Sequence, residues 1–129
     1  MARDAGDYID EIKSLLVALP FVVSFEMLRE EALGTDGLYR LRAKLADGSE
    51  LQMFERFHLV DDGTVAVGKY SFHWQKADGA LLRRWDNAPH HSEIPSFPHH
   101  IHDGDEDHVK SGASMTGPQV LNLIEYTLV

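Results

Sequence analysis

Apolar residues first recur at helical spacing, at Ile9, Ile12, Leu15, Leu16 and Leu19, and Pro20 closes the run. With Asp7 as a plausible N-cap, this predicts an amphipathic helix over about 7–19. After Pro20 the period changes to two. Phe21, Val23, Phe25 and Met27 alternate with Ser24 and Glu26, and Tyr39, Leu41, Ala43 and Leu45 alternate with Arg40, Arg42 and Lys44. Asp47-Gly48 supplies a tight turn, since such turns demand the positive φ that glycine adopts without penalty. Further strands follow over Glu50 to Val60, Thr64 to Gln75 and Ala80 to Asp86, parted by Asp61-Asp62-Gly63 and Ala77-Asp78-Gly79.

Strands joined by turns this short must be antiparallel, because a parallel crossover needs a dozen residues or more. Thr116 and Pro118 then open a last helix, over about 117–128, with Val120, Leu121, Ile124 and Leu128 as its apolar stripe. The expectation is an α+β domain over residues 1–129: a five-stranded antiparallel meander within about 21–86, a Pro/His-rich loop over 87–108, and two helices on one sheet face. Tyr70, Phe72 and Trp74 would belong to the core, and the opposite face would carry Arg40, Arg42, Lys44, Lys69 and His73, joined by Arg56 and His58.

Composition narrows the function. Apolar residues make up 43% and charged residues 26%, as in a globular protein. There is no cysteine, which removes disulfides, thiolate catalysis and Cys-based zinc sites, and leaves His, Asp and Glu as the strong metal ligands. The N-terminal text lacks the features of a signal peptide, and the apolar stretch Leu15 to Val23 is too short to span a bilayer, so a cytoplasmic protein with no membrane partner is expected. A formal charge of −9 argues against nucleic-acid binding by the whole-molecule field. The charge is uneven, however. Residues 40–84 hold eight of the twelve Lys and Arg, whereas 86–108 hold six Asp or Glu and no Lys or Arg.

The chemistry gathers in Arg84 to His102, RWDNAPHHSEIPSFPHHIH, which holds five of the eight histidines. Three readings compete. In the first, His100-x-His102 points two imidazoles to one side of an extended stretch and binds a transition metal such as zinc. In the second, histidines beside Lys69, Arg83 and Arg84, with His73 on the adjoining strand, perform metal-free acid–base chemistry on RNA. In the third, an Asp86-Asn87 turn and Pro89, Pro95 and Pro98 stiffen the loop, and the imidazoles only hydrogen-bond it in place. The acidic run Asp103 to Asp107 reads as a solvated loop.

The PFVVSFE text after the first helix, GSELQMFE, KYSFHWQ and above all WDNAPHH…FPHH resemble the TumE-type toxins of prokaryotic toxin–antitoxin modules, over about Ile9 to His102. Matching motif positions are Tyr70, His73, Arg84, Asp86, Asn87, His90, His91, Pro98, His99, His100 and His102. The chain departs from the pattern at Ile101, where a basic residue is expected, and in the acidic DGDEDH that follows. The resemblance implies a cytosolic toxin bound by a cognate antitoxin and, joined to the acid–base reading, a ribonuclease with no cofactor. His73, Arg84, Asp86, His90, His91 and His100 are then the catalytic candidates. Lys69, Arg83, Asn87, His99 and His102 are the substrate-binding ones. A metal, if bound, would sit on His100 and His102. The alternatives are a non-catalytic module that binds a partner protein and a His/carboxylate metalloprotein. An exposed sheet edge would allow a homodimer.

Overall fold

A computed structural model describes residues 3–89 and 91–128. Helix α1 (Ala5–Ala18) is followed by strands β1 (Val22–Leu33), β2 (Asp36–Leu45), β3 (Glu50–Leu59), β4 (Val65–Gln75), β5 (Leu81–Asp86), β6 (His100–Asp103) and β7 (Val109–Ser111), then helix α2 (Gly117–Leu128). The strands form one antiparallel sheet in chain order, β1 to β7. The architecture is therefore the expected α+β meander, with seven strands in place of five. Of the two extra strands, β6 lies in the segment read as loop and β7 just after it, before α2. Both are too short for periodicity to reveal, and β6 alternates polar histidines into positions where apolar residues would have marked a strand.

The α1 start also differs from expectation. Asp4, not Asp7, is the N-cap: its carboxylate accepts from the Asp7 N–H at 2.9 Å, and the Asp7 carboxylate accepts from the Asp4 N–H at 2.9 Å. That reciprocal box satisfies two otherwise orphaned donors. Thr116 caps α2 in the same manner with Gln119, whose side chain accepts from the Thr116 N–H at 2.9 Å. In β1, Val23 is exposed where alternation predicts burial, because a bulge between Val22 and Ser24 shifts the register.

Strand alternation divides the sheet. One face packs Tyr39, Leu41, Leu51, Met53, Phe57, Tyr70, Phe72, Trp74 and Trp85 against Tyr8, Ile9, Ile12 and Leu16 of α1 and Val120, Leu121 and Ile124 of α2. Glu55 interrupts this core. It is fully buried and accepts hydrogen bonds from Tyr8 Oη (2.9 Å), Tyr39 Oη (2.6 Å) and the Gly117 N–H (3.2 Å), so one carboxylate joins both helices to β2 and β3. Burial is the main force pushing its pKa up to about 7, against the pull of these three donors. The other face bears Arg40, Arg42, Lys44, Arg56, Lys69 and His73, and the segment between β5 and β6 folds over its far end.

Candidate functional site

The site is a consequence of register. Across β4, β5 and β6 the pairs are His73↔Arg84 and Arg84↔His102, and one step along they are Ser71↔Asp86 and Asp86↔His100. Directly paired residues point to the same side with Cβ atoms about 5 Å apart. Two rungs therefore stack on the face away from the helices: His73, Arg84 and His102, then Ser71, Asp86 and His100. This is the side-by-side placement of His100 and His102 that an extended His-x-His predicts.

The segment between β5 and β6 roofs the rungs. Its start is fixed by side chains: Asp86 Oδ1 accepts from the Ala88 N–H at 3.1 Å, the expected Asx turn, and Asn87 extends the β4 ladder. Asn87 Oδ1 accepts from the Tyr70 N–H at 3.0 Å, and Asn87 Nδ2 donates to the Gly68 carbonyl at 2.8 Å. His91 then adopts φ +67°, a conformation uncommon for a residue with a Cβ. It brings the His91 ring edge-on to both buried imidazoles, with centroids 5.2 Å from His100 and 5.7 Å from His102. His100 and His102 are themselves 4.9 Å apart, with side chains only 1% and 3% exposed. One ligand nitrogen from each of the three rings lies within 4.8 Å of the others.

Hydrogen bonds fix the tautomers. His100 Nδ1 lies 2.9 Å from the Pro98 carbonyl, and His102 Nδ1 lies 2.9 Å from the Glu106 carbonyl. A carbonyl only accepts, so both rings carry hydrogen on Nδ1 and turn Nε2 inward. The two Nε2 atoms converge on one carboxylate: Asp86 Oδ1 is 2.8 Å from that of His100, and Asp86 Oδ2 is 3.7 Å from that of His102. Burial, with the charge of Arg84 beside it, holds the His102 imidazole below its ordinary pKa.

Arg84 is engaged on every side. Its Nε donates to Asp86 Oδ2 at 2.9 Å, and its two terminal nitrogens each donate to a Glu106 oxygen at 2.6 Å. Glu106 is more than half exposed, a carboxylate lying where an incoming anion would meet the guanidinium. The acidic run is thus not simply solvated. Glu106 clamps Arg84, Asp103 pairs with Arg83 and Lys110, and Asp105 Oδ1 accepts from the N–H groups of Asp107 and His108.

Of the residues singled out in the sequence, His73, Arg84, Asp86, His91, His100 and His102 come together. His73 is half-buried, with Nε2 3.0 Å from Gln75 Oε1. Lys69 lies on the same face four residues before His73 in β4, opposite Arg56. Arg83 and His99 lie on the helix side. Arg83 stacks beside Trp85 and pairs with Asp103, and the His99 ring stacks on Tyr70 with Nδ1 3.0 Å from its hydroxyl. His90 falls outside the described residues. Two side chains that order the fold and the site escaped the sequence reading. Glu55 had a signal, since it occupies the buried parity of Leu51, Met53, Phe57 and Leu59. Glu106 had none, because its reach to Arg84 depends on the β6–β7 turn.

A groove of about 720 Å³ lies on strands β1, β2 and β3, lined by Glu30, Glu31, Leu33, Asp36, Arg56 and Phe57 among others. It holds no histidine and shares no residue with the imidazole cluster, so size and chemistry point to different places. The chemistry is the better guide to a reactive site, because it gathers imidazoles, the side chains that exchange protons near neutral pH, beside a guanidinium. No helix among the described residues is long and apolar enough to cross a membrane. No curated protein and no solved structure matches the chain. The family described as Toxin TumE matches residues 12–128, which carries the similarity past His102 through β7 and to the end of α2. With almost its whole length covered, the chain belongs to the toxin TumE family.

Proposed function

We propose that this chain is the toxin of a toxin–antitoxin module, neutralised by a cognate antitoxin protein, and that it cleaves RNA at the imidazole rungs. Membership of a toxin family carries the first part. The observation that carries the second is the row His73, Arg84 and His102 backed by Asp86, at one end of a face that also bears Arg40, Arg42, Lys44, Arg56 and Lys69. Such a face offers local phosphate contacts despite the chain's net negative charge.

In this reading His73 takes the proton of a ribose 2′-hydroxyl, and the 2′-oxygen attacks the adjacent phosphorus. The bond from phosphorus to the 5′-oxygen breaks, a loop imidazole supplies that oxygen with its proton, and a cyclic phosphate and a free 5′-hydroxyl result. His100 is too deeply buried to touch a phosphodiester in the observed arrangement, whereas the His91 side chain is about one-third exposed and reaches the rim. Arg84 holds the phosphate once Glu106 yields it, and Asp86 orients the rings beneath.

The test is incubation of single-stranded RNA with a stoichiometric amount of purified chain in EDTA. Cleavage to cyclic-phosphate ends, lost in His73→Ala and Arg84→Ala, supports the reading. RNA left intact by the wild-type chain ends it.

A further inference from the structure

We infer that His91, His100 and His102 form a binding site for a divalent transition-metal ion of the zinc and cobalt class. The inference stands on the imidazoles alone and needs no RNA substrate. Three observations converge on it. First, three rings from two separate segments place ligand nitrogens within 4.8 Å of one another. Three nitrogens on a single tetrahedral ion lie about 3.3 Å apart, given metal–nitrogen bonds of about 2.05 Å. Closing that gap takes shifts on the order of 1 Å in the segment that carries His91.

Second, the tautomers are set for coordination. A metal-bound histidine usually donates its other N–H to a carbonyl or carboxylate, which fixes the ring and leaves a lone pair facing the ion. Both buried rings do so, through Nδ1 to Pro98 and Glu106. Third, His102 Nε2 is buried and has no hydrogen-bond partner among the described residues. A buried nitrogen in that condition is costly, and a cation at its lone pair is one arrangement that removes the cost. The Asp86 carboxylate beside both Nε2 atoms adds the negative charge that a divalent ion requires.

The donor set also selects the ion. Imidazole favours zinc, cobalt, nickel and copper, whereas magnesium and calcium seek oxygen. An ion held by His91 takes that ring out of proton transfer, so the loaded pocket is a silenced form of the one proposed to cleave RNA.

The chain, prepared without a histidine tag and stripped with EDTA, is titrated with Co²⁺ and with Zn²⁺. Calorimetry gives the stoichiometry, and visible absorption reports the cobalt coordination. One ion per chain is expected, with the intense bands of low-coordinate cobalt bleached by added zinc. His91→Ala and His102→Ala each weaken binding by at least the 10- to 100-fold that loss of an outer hydrogen-bond partner costs a metal site. His58→Ala, at an exposed histidine paired with Asp36 on the far strands, leaves binding unchanged. His91 is on the half-exposed loop, so its variant keeps the test valid should His102→Ala fail to fold. No saturable binding, or equal affinity in wild type and His91→Ala, overturns the inference.

Discussion

Replacing Glu55 by Gln should remove a pH dependence of stability without emptying the core. Glu55 is fully buried, its pKa rises from an ordinary 4.5 to about 7, and burial is the dominant cause. Between those two values the folded chain holds a proton on Glu55 that the unfolded chain releases. Stability must therefore fall as pH rises through that window. The full shift corresponds to about 3 kcal/mol at about 1.4 kcal/mol per pH unit, and between about pH 5 and pH 8 roughly 2–3 kcal/mol of it is expressed. Gln keeps the shape and a carbonyl acceptor for the phenols but cannot ionise. His102, held low by burial, acts in the opposite direction at mildly acidic pH, so the readout is the difference between variant and wild type at each pH. Urea unfolding supplies that difference. Relative to wild type, Glu55→Gln should gain about 1–2 M in midpoint from the acidic to the alkaline end, for a slope of about 1–3 kcal/mol per M. A gap that stays constant across pH would refute the reasoning, since it would mean that Tyr8, Tyr39 and the Gly117 N–H fully offset the burial of the charge.

Gly117→Ala should destabilise the fold by about 1–3 kcal/mol in the same assay, because an added Cβ would stand 2.5 Å from Tyr39 Oη and 2.9 Å from Ile12 Cδ1; an unchanged midpoint would show that α2 can shift away. Asn87→Ala strips partners from the Tyr70 N–H and the Gly68 carbonyl, at a cost of about 1–2 kcal/mol, and hydrogen exchange at the Tyr70 amide should accelerate. Glu106→Gln should free the Arg84 guanidinium and tighten binding of a short RNA up to about fivefold, the modest worth of an exposed ion pair, with steeper salt dependence in a fluorescence titration.

The sheet was legible because β2 and β4 alternate cleanly and Gly turns separate them, so pattern alone fixed both the faces and the antiparallel order. Its last two strands were not, since β6 buries His100 and His102 where a strand core should be apolar, and β7 has only three residues. That failure marks the site itself: polar residues were placed against the rule for burial, each ring held through its Nδ1 by a loop carbonyl, with Asp86 beside both Nε2 atoms. The gathering of Arg84, Asp86, His100 and His102 followed from their residue types. The separation of Arg83 from Arg84 follows from simple alternation within β5, whereas that of His99 rests on a register that the intervening prolines hide. The clamp of Glu106 on Arg84 is a tertiary accident of one turn and leaves no trace in spacing.

Controlled expression of the chain in a bacterial host without an antitoxin, with growth and total RNA followed together, tests most directly whether the imidazole and arginine rungs are the seat of toxicity. Growth arrest with RNA fragmentation is expected for the wild-type chain and neither for Arg84→Ala accumulated to the same soluble level. Arrest that persists in Arg84→Ala, or arrest with RNA intact, would contradict it.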